Sequence, residues 1–251
     1  MGRTIKKSAW LLMLLALQAA AFAQKVAKAL DIAKLKEDFY VYTTYGSLDD
    51  GSRFPSNSMY IVTGAGVVMI DVPWDTTQML PLLDTIERRH GQKVIACIST
   101  HFHADRTAGL DMLHARGIPT YAIERTRVLS RGREGRMPQH TLPEDTTFRA
   151  GRHRIRVFYP GPGHTTDNIV VWFPDDKVLY GGCFVKSTEA KDMGNLEDAD
   201  TRQWPASVRK VQQAFPDAAY IIPGHGSWAG NHSLSHTLKL LRRDEAAGKK
   251  K

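Results

Sequence analysis

Cysteine is scarce in this chain, with 2 in 251 residues. That excludes a scaffold stapled by many disulfides and leaves Cys97 and Cys183 to be read one at a time. An exported protein can pair two cysteines. Here, however, Cys97 lies in an apolar strand pattern and Cys183 follows Gly181-Gly182, which points to a buried thiol and a metal thiolate. Long apolar runs are also lacking. The stretch from Ala9 to Phe22 falls short of the ~20 residues that span a bilayer comfortably. No internal repeat, low-complexity segment or Pro/Ser-rich linker interrupts the chain. The formal charge of +8 is spread over scattered arginines without aromatic interleaving, so the basic balance does not imply nucleic-acid binding.

What is present at the N-terminus reads as an address. Arg3, Lys6 and Lys7 precede the Ala9–Phe22 run, which ends in Ala21-Phe22-Ala23 before Gln24. A basic region, an apolar core and an A-x-A site form a secretory signal, with cleavage expected after Ala23. No cysteine stands at the cleavage site to take a lipid. Losing Arg3, Lys6 and Lys7 lowers the formal charge from +8 to +5. The chain then divides into a signal over residues 1–23 and one domain over 24–251, exported to the periplasm, without stable membrane association and monomeric.

Periodicity predicts strands at Phe39–Tyr45, Met59–Thr63, Val67–Val72, Val94–Ile98, Pro119–Ile123, Ile169–Phe173, Val178–Tyr180 and Tyr220–Ile222. Helical spacing runs over Asp75–His90, Ala108–Ala115, Pro205–Phe215 and Ser233–Ala247, with Thr126–Gly135 also helix-compatible. Gly46–Ser58 reads as a polar turn region carrying Phe54, and Thr147–Tyr159 as a hairpin turning near Gly151. Strands and helices mix throughout, so the predicted class is α/β, a four-layer αβ/βα sandwich.

The chemistry concentrates at Thr100-His101-Phe102-His103-Ala104-Asp105-Arg106, directly after the Val94–Ile98 strand. In extended backbone, residues i, i+2 and i+4 face one side, so two imidazoles and a carboxylate converge as ligands suited to zinc. Three further ligand-type residues follow or separate strands beside glycines: His164 in Gly161-Pro162-Gly163-His164-Thr165, Cys183 in Gly181-Gly182-Cys183, and His225 in Gly224-His225-Gly226. Each is weak alone, and the four loops together are hard to explain without a metal. His90, His114, His140, His153, His232 and His236 have no such context and read as structural or exposed.

These motifs, with Cys183-Phe184-Val185-Lys186, Gly194-Asn195-Leu196 and Pro223-Gly224-His225-Gly226, resemble the zinc metallo-β-lactamases over nearly the whole mature chain. Arg106 and Cys183 mark the β-lactamases within the wider fold superfamily. The thioesterases and nucleases of that superfamily usually carry histidine where Arg106 stands and a bridging aspartate where Cys183 stands. His101, where the mono-zinc subclass has asparagine, points to the broad-spectrum di-zinc subclass.

The resemblance implies two Zn2+ ions per chain, one on His101, His103 and His164 and one on Asp105, Cys183 and His225. An open three-nitrogen site ionises its bound water near pH ~7, supplying a hydroxide for the β-lactam carbonyl. Asp105 and Asn195 are the residues expected to serve the reaction, Asn195 by donating to the carbonyl oxygen as charge develops. Lys186 would pair with the carboxylate on the fused ring, and Phe54 would tip a flap over the substrate. The implied activity is hydrolysis of penicillins, cephalosporins and carbapenems. A serine route lacks its Ser-x-x-Lys motif.

Asp71 and Thr100 lie near the site by chain position, and Arg106 is expected beside Cys183. The alternatives are a thioesterase or lactonase of the same fold, against which Arg106 and Cys183 argue, and a periplasmic zinc-binding protein. The latter leaves the open site, Lys186 and Asn195 unexplained. One departure stands out: Ser130–Arg136 is richer in arginine and glycine than the family pattern there, which bears on substrate preference.

Overall fold

Strands that read as apolar on both faces should be covered on both faces, and they are. The structure, a computed structural model, describes residues 30–48 and 50–248; the expected signal and its cleavage site lie outside the described residues. Among the described residues, twelve strands form two sheets. The larger runs in sequence order: β1 (Leu30–Lys36), β2 (Phe39–Ser47), β3 (Arg53–Val62), β4 (Val67–Ile70), β5 (Val94–Ile98), β6 (Thr120–Ile123) and β7 (His140–Leu142). The smaller has the order β12 (Tyr220–Pro223), β11 (Val178–Gly182), β10 (Val170–Phe173), β9 (His153–Phe158), β8 (Asp145–Ala150).

Side-chain alternation separates three apolar layers. Met59, Ile61, Val68 and Ile70 from the larger sheet meet Val157, Val171, Phe173, Val178 and Ile222 from the smaller in the central core. The alternate residues Tyr60, Val67 and Met69 face the other way, against Met79, Leu82 and Ile86 of α1 (Met79–His90) and Leu110 and Leu113 of α3 (Leu110–His114). Behind the smaller sheet, Val170, Trp172 and Leu179 pack on Trp204, Val208 and Val211 of α5 (Trp204–Ala214) and on Leu240 and Leu241 of α6 (Ser233–Gly248). This is the expected four-layer αβ/βα sandwich. Among the described residues no helix is long and apolar enough to cross a membrane.

The topology sets where loops can gather. β4 and β5 pair parallel, as do β11 and β12, so the carboxyl ends within each pair lie at one edge. Asp71 follows β4, the Ser99–His103 loop follows β5, Cys183 follows β11, and Pro223 at the end of β12 leads through Gly224 to His225.

Several boundaries differ from those predicted. Gly46–Ser58 is mostly strand: β2 continues to Ser47, and β3 begins at Arg53 and pairs with it from Ser47↔Arg53 to Phe39↔Ile61. Ser56, Asn57 and Ser58 have poor strand propensity, but they are buried, and the Asn57 amide donates to the Gly224 carbonyl at 2.8 Å across the sandwich. Tertiary hydrogen bonding overrides local preference here. The predicted Ala108–Ala115 helix shortens to α3, which starts only after Gly109 at φ +70°, and the metal loop ahead of it holds an unpredicted single turn, α2 (Ala104–Thr107), that ends where Ala108 is extended. The Thr126–Gly135 pattern yields only α4 (Glu124–Leu129) followed by turns. Edge strands β1 and β7 carry no strong alternation and were not predicted.

Candidate metal centre

The Ser99–His103 loop is held open by hydrogen bonds from both sheets. Asp71, in the left-handed region at φ +64°, accepts from the Thr100 amide (2.7 Å) and the Thr100 hydroxyl (2.8 Å), while Ile169 N donates to the Thr100 carbonyl (3.0 Å). His101 and His103 project from this loop, and Asp105 sits in the single turn of α2 rather than in extended backbone. His164 lies between β9 and β10.

The imidazoles of His101, His103 and His164 meet in T-shaped pairs, with ring centroids 4.8–5.0 Å apart. One ligand atom from each lies within 4.8 Å of the others, and the same holds for His101, Asp105 and Cys183. His225 completes the second group: its Nε2 is 3.1 Å from Cys183 Sγ and 3.3 Å from Asp105 Oδ2, which is itself 3.3 Å from Cys183 Sγ. All six predicted ligands therefore converge. Cys97, as expected, is a buried thiol, and neither cysteine is in a disulfide.

The donor chemistry fits a cation. His103 Nδ1 faces His164 Nε2 at 3.1 Å, and His101 Nε2 is buried with no hydrogen-bond partner among the described residues. Burial holds His101 and His164 well below the usual imidazole pKa, with His103 adding to the effect on the first and Lys186 on the second. Neutral imidazoles are the form that binds metal. In the second group burial disfavours ionised Asp105, but the Arg106 guanidinium overrides it and holds the carboxyl well below its usual range. Burial likewise opposes charge on His225, yet Cys183 and Asp105 push its pKa up to about 9. A proton held on His225 beside Cys183 and Asp105 is one that a divalent cation can displace.

Arg106 lies fully buried behind these donors. Its Nη2 is 2.9 Å from Cys183 Sγ, 2.9 Å from Asp105 Oδ2 and 3.1 Å from the Gly224 carbonyl. Its Nη1 donates to the Asn57 carbonyl at 2.7 Å and the Tyr180 hydroxyl at 2.8 Å, and lies 3.4 Å from Asp71. Burial raises the Asp71 pKa to about 6 despite that cation and the Thr100 and Tyr180 hydrogen bonds.

The centre opens into a cleft of about 780 Å³. Phe54, 42% exposed, lies near the start of β3 with its ring 5.1 Å from that of His225. Lys186 is half-buried, its ammonium 5.4 Å from the Trp204 ring and its pKa lowered by burial. Asn195 is exposed and makes an Asx turn, its Oδ1 accepting from Glu197 N at 2.9 Å, which leaves the side-chain NH2 as its donor. All three line the cleft, whereas none of the six histidines set aside does so.

Two supporting contacts escaped the sequence reading. Asp198 Oδ2 lies 2.8 Å from His103 Nε2, and the Pro55 carbonyl lies 2.7 Å from His225 Nδ1, fixing each ring by its far nitrogen. Asp198 follows Asn195 by three residues and was findable as a nearby carboxylate; a backbone carbonyl leaves no sequence signal.

Two face-to-face sheets with histidine, carboxylate and thiolate side chains gathered at their loop edge define a metallohydrolase type of centre. Residues 51–225 match the model of the metallo-β-lactamase superfamily. The chain is 41% identical over 240 residues to a metallo-β-lactamase type 2 from Elizabethkingia meningoseptica, covering 94% of this chain and 95% of that one. It is 36% identical over 213 residues to a metallo-β-lactamase type 2 from Bacillus cereus, covering 85% and 83%. A solved metallo-β-lactamase from Pontibacter korlensis superposes with a TM-score of 0.81 at 37% identity, covering 85% of this chain and 99% of that one. The chain belongs to the metallo-β-lactamase superfamily.

Arg106→Ala should leave Asp71, Asp105 and Cys183 buried without their cation. Removing one partner of such a group costs about 3–5 kcal/mol. Denaturant unfolding of the mutant should show that loss, and a change below ~1 kcal/mol would remove Arg106 from its structural role.

Proposed function

We propose that this chain opens the β-lactam ring by hydrolysis with two zinc ions, after export to the periplasm. The enzyme is a zinc-dependent β-lactam hydrolase. The observation that carries the two-ion reading is that one cluster holds six donors of two kinds, three imidazoles and, beside His101, a carboxylate and a sulfur joined by the fourth imidazole, more than one tetrahedral ion can use. His101, His103 and His164 would hold the first ion; Asp105, Cys183 and His225 would hold the second, as in the di-zinc subclass that the sequence resembles. When bound, zinc supplies Lewis acidity for the substrate carbonyl and ionises water near neutral pH.

The chain's own residues do the remaining work. Asp198 and the Pro55 carbonyl fix the rings of His103 and His225. The Asn195 side-chain NH2, at the cleft wall, donates towards an oxygen that gains negative charge. Lys186 receives the carboxylate that penicillins, cephalosporins and carbapenems carry on the fused ring, a compact charge for a compact anion. Its backbone amide donates to Thr237 Oγ1 at 2.8 Å, which anchors this segment on α6. Phe54 covers the substrate from the β2–β3 hairpin. Every proposed ligand comes from one chain, which supports action as a monomer. Arg106 and Cys183 support this substrate over a thioester or lactone.

Metal analysis of the purified mature protein should find close to two zinc ions per chain, and a chelator should abolish turnover of a chromogenic cephalosporin. Cys183→Ala should bind about one and lose kcat. One ion at saturation, with Cys183 open to thiol reagents, rejects the second site.

Lys186→Ala should act mainly on KM, because the charge pairing exists before as well as during reaction. Loss of one charge-assisted contact costs on the order of 1.5–3 kcal/mol, or roughly 10- to 150-fold in kcat/KM. Zinc content should stay unchanged. An unaltered KM for carboxylate-bearing substrates rules out the anchor role.

Export predicts a mature N-terminus at Gln24. Mass spectrometry of periplasmic material should find it, and an intact Met1 would overturn the assignment.

A further inference from the structure

The Ser130–Arg136 stretch, with arginine at 131, 133 and 136, follows α4 and forms part of the cleft wall. Arg133 and Arg136 both line the cleft beside Phe102 and Ala104. Arg136 is committed inward: its Nη2 donates to the Phe102 carbonyl at 2.5 Å and its Nε to Thr107 Oγ1 at 3.0 Å. It braces the loop that carries His101 and His103. Arg133 is exposed, with its guanidinium carbon 4.6 Å from the centre of the Phe102 ring and its Nε donating to the Leu129 carbonyl at 3.0 Å. These two contacts fix the plane of the guanidinium and leave its terminal nitrogens for a ligand. Among the described residues neither arginine makes an ion pair with a carboxylate. Burial, then the charge of Arg133, lowers the Arg136 pKa against the opposing charge of Asp105, as two cations share one wall.

We propose that Arg133 is a specificity-determining residue that receives a second anionic group, carried on the acyl side chain of the β-lactam. The inference rests on the β-lactam reading and deepens it. In penicillins and cephalosporins the ring carboxylate and the acylamino group sit on opposite sides of the fused nucleus. With the carboxylate at Lys186 and the reacting carbonyl over the histidine cluster, the acylamino group extends away from Lys186. The wall formed by Phe102 and Arg133 belongs to other elements than Lys186, which follows β11 and packs on Trp204. A carboxylate on that side chain meets a planar guanidinium with free donors, the geometry suited to two parallel hydrogen bonds. Substrates with a neutral side chain gain nothing from it, so the effect is one of selectivity between β-lactams.

The test uses the zinc-loaded mature protein and two substrates that differ by one group, benzylpenicillin and its α-carboxy derivative. Arg133→Gln should lower the ratio of kcat/KM for the α-carboxy compound over benzylpenicillin by about three- to tenfold, the range of one partly solvated charge contact. The change should appear in KM, shrink as salt rises, and be smaller in Arg133→Lys, which keeps the charge. An equal change for both substrates would make Arg133 a brace for the Phe102 loop and overturn the proposal. So would an unchanged ratio. If the unmutated enzyme hydrolyses neither compound, the β-lactam reading itself fails, and the inference with it. That outcome differs from benzylpenicillin turnover with a ratio indifferent to Arg133.

Discussion

A guanidinium with no exposure to water sits at the point where both sheets, the ligand loops and the candidate metal donors meet. Burying a cation costs several kcal/mol unless charge and hydrogen bonds compensate. Arg106 obtains that compensation from Asp105, Cys183 and Asp71 and from the carbonyls of Asn57 and Gly224. Those partners come from five separate segments, so satisfying one side chain fixes their relative positions. The requirement runs both ways. Asp105 and Cys183 lie 3.3 Å apart at a buried position, and two anionic ligands so close would repel each other without the cation behind them.

The fit around Arg106 leaves no slack in the backbone. A Cβ on Gly224 would stand 2.6 Å from Arg106 Nη2 and 2.6 Å from Cys183 N, so only glycine lets the strand carrying His225 come this close to the Cys183 turn. Asp71 shows the same constraint as strain. A non-glycine residue at φ +64° is uncommon, and here its carboxylate holds Thr100 while its carbonyl accepts from Tyr42 Oη at 2.7 Å. The backbone accepts an unfavourable conformation because the hydrogen bonds it makes set the start of the His101–Asp105 loop.

Much of this was legible in the sequence, and the parts that were legible share a property. His101, His103 and Asp105 announce themselves because their spacing is local. His164, Cys183 and His225 do so because each sits beside glycine at a strand end. The layers followed from strands and helices that mix throughout the chain. What was not legible depends on partners distant in the chain. Ser56-Asn57-Ser58 has turn-like composition and becomes strand because Asn57 bonds Pro223, Gly224 and Gly226. Asp198 reaches His103 across 95 positions, and Pro55 reaches His225 across 170. The break at Ala108–Gly109 is a local feature that helical periodicity alone overlooks.

Arg106 also explains why the two donor sets differ as they do. Burial holds His101 and His164 well below the usual imidazole pKa, so a divalent ion bound among neutral imidazoles there would keep most of its charge for the substrate. The other set offers a carboxylate and a sulfur, and the negative charge they would carry as metal ligands is offset from behind by one guanidinium. A cation held there would be partly neutralised, so a second ion beside the first would meet less repulsion than in a second all-imidazole set. Residues that can tell one substrate from another must then stand outside this balance. Asn195 and Phe54 do so at the cleft wall, and Arg133, over the Phe102 ring, does so without touching any candidate ligand, while Lys186 lines the same cleft within the field of His164, Cys183 and Asp105. The charge that organises the centre is sealed within the fold, and the charge that selects among substrates is left at the surface, where a sequence can change it without disturbing the metal site.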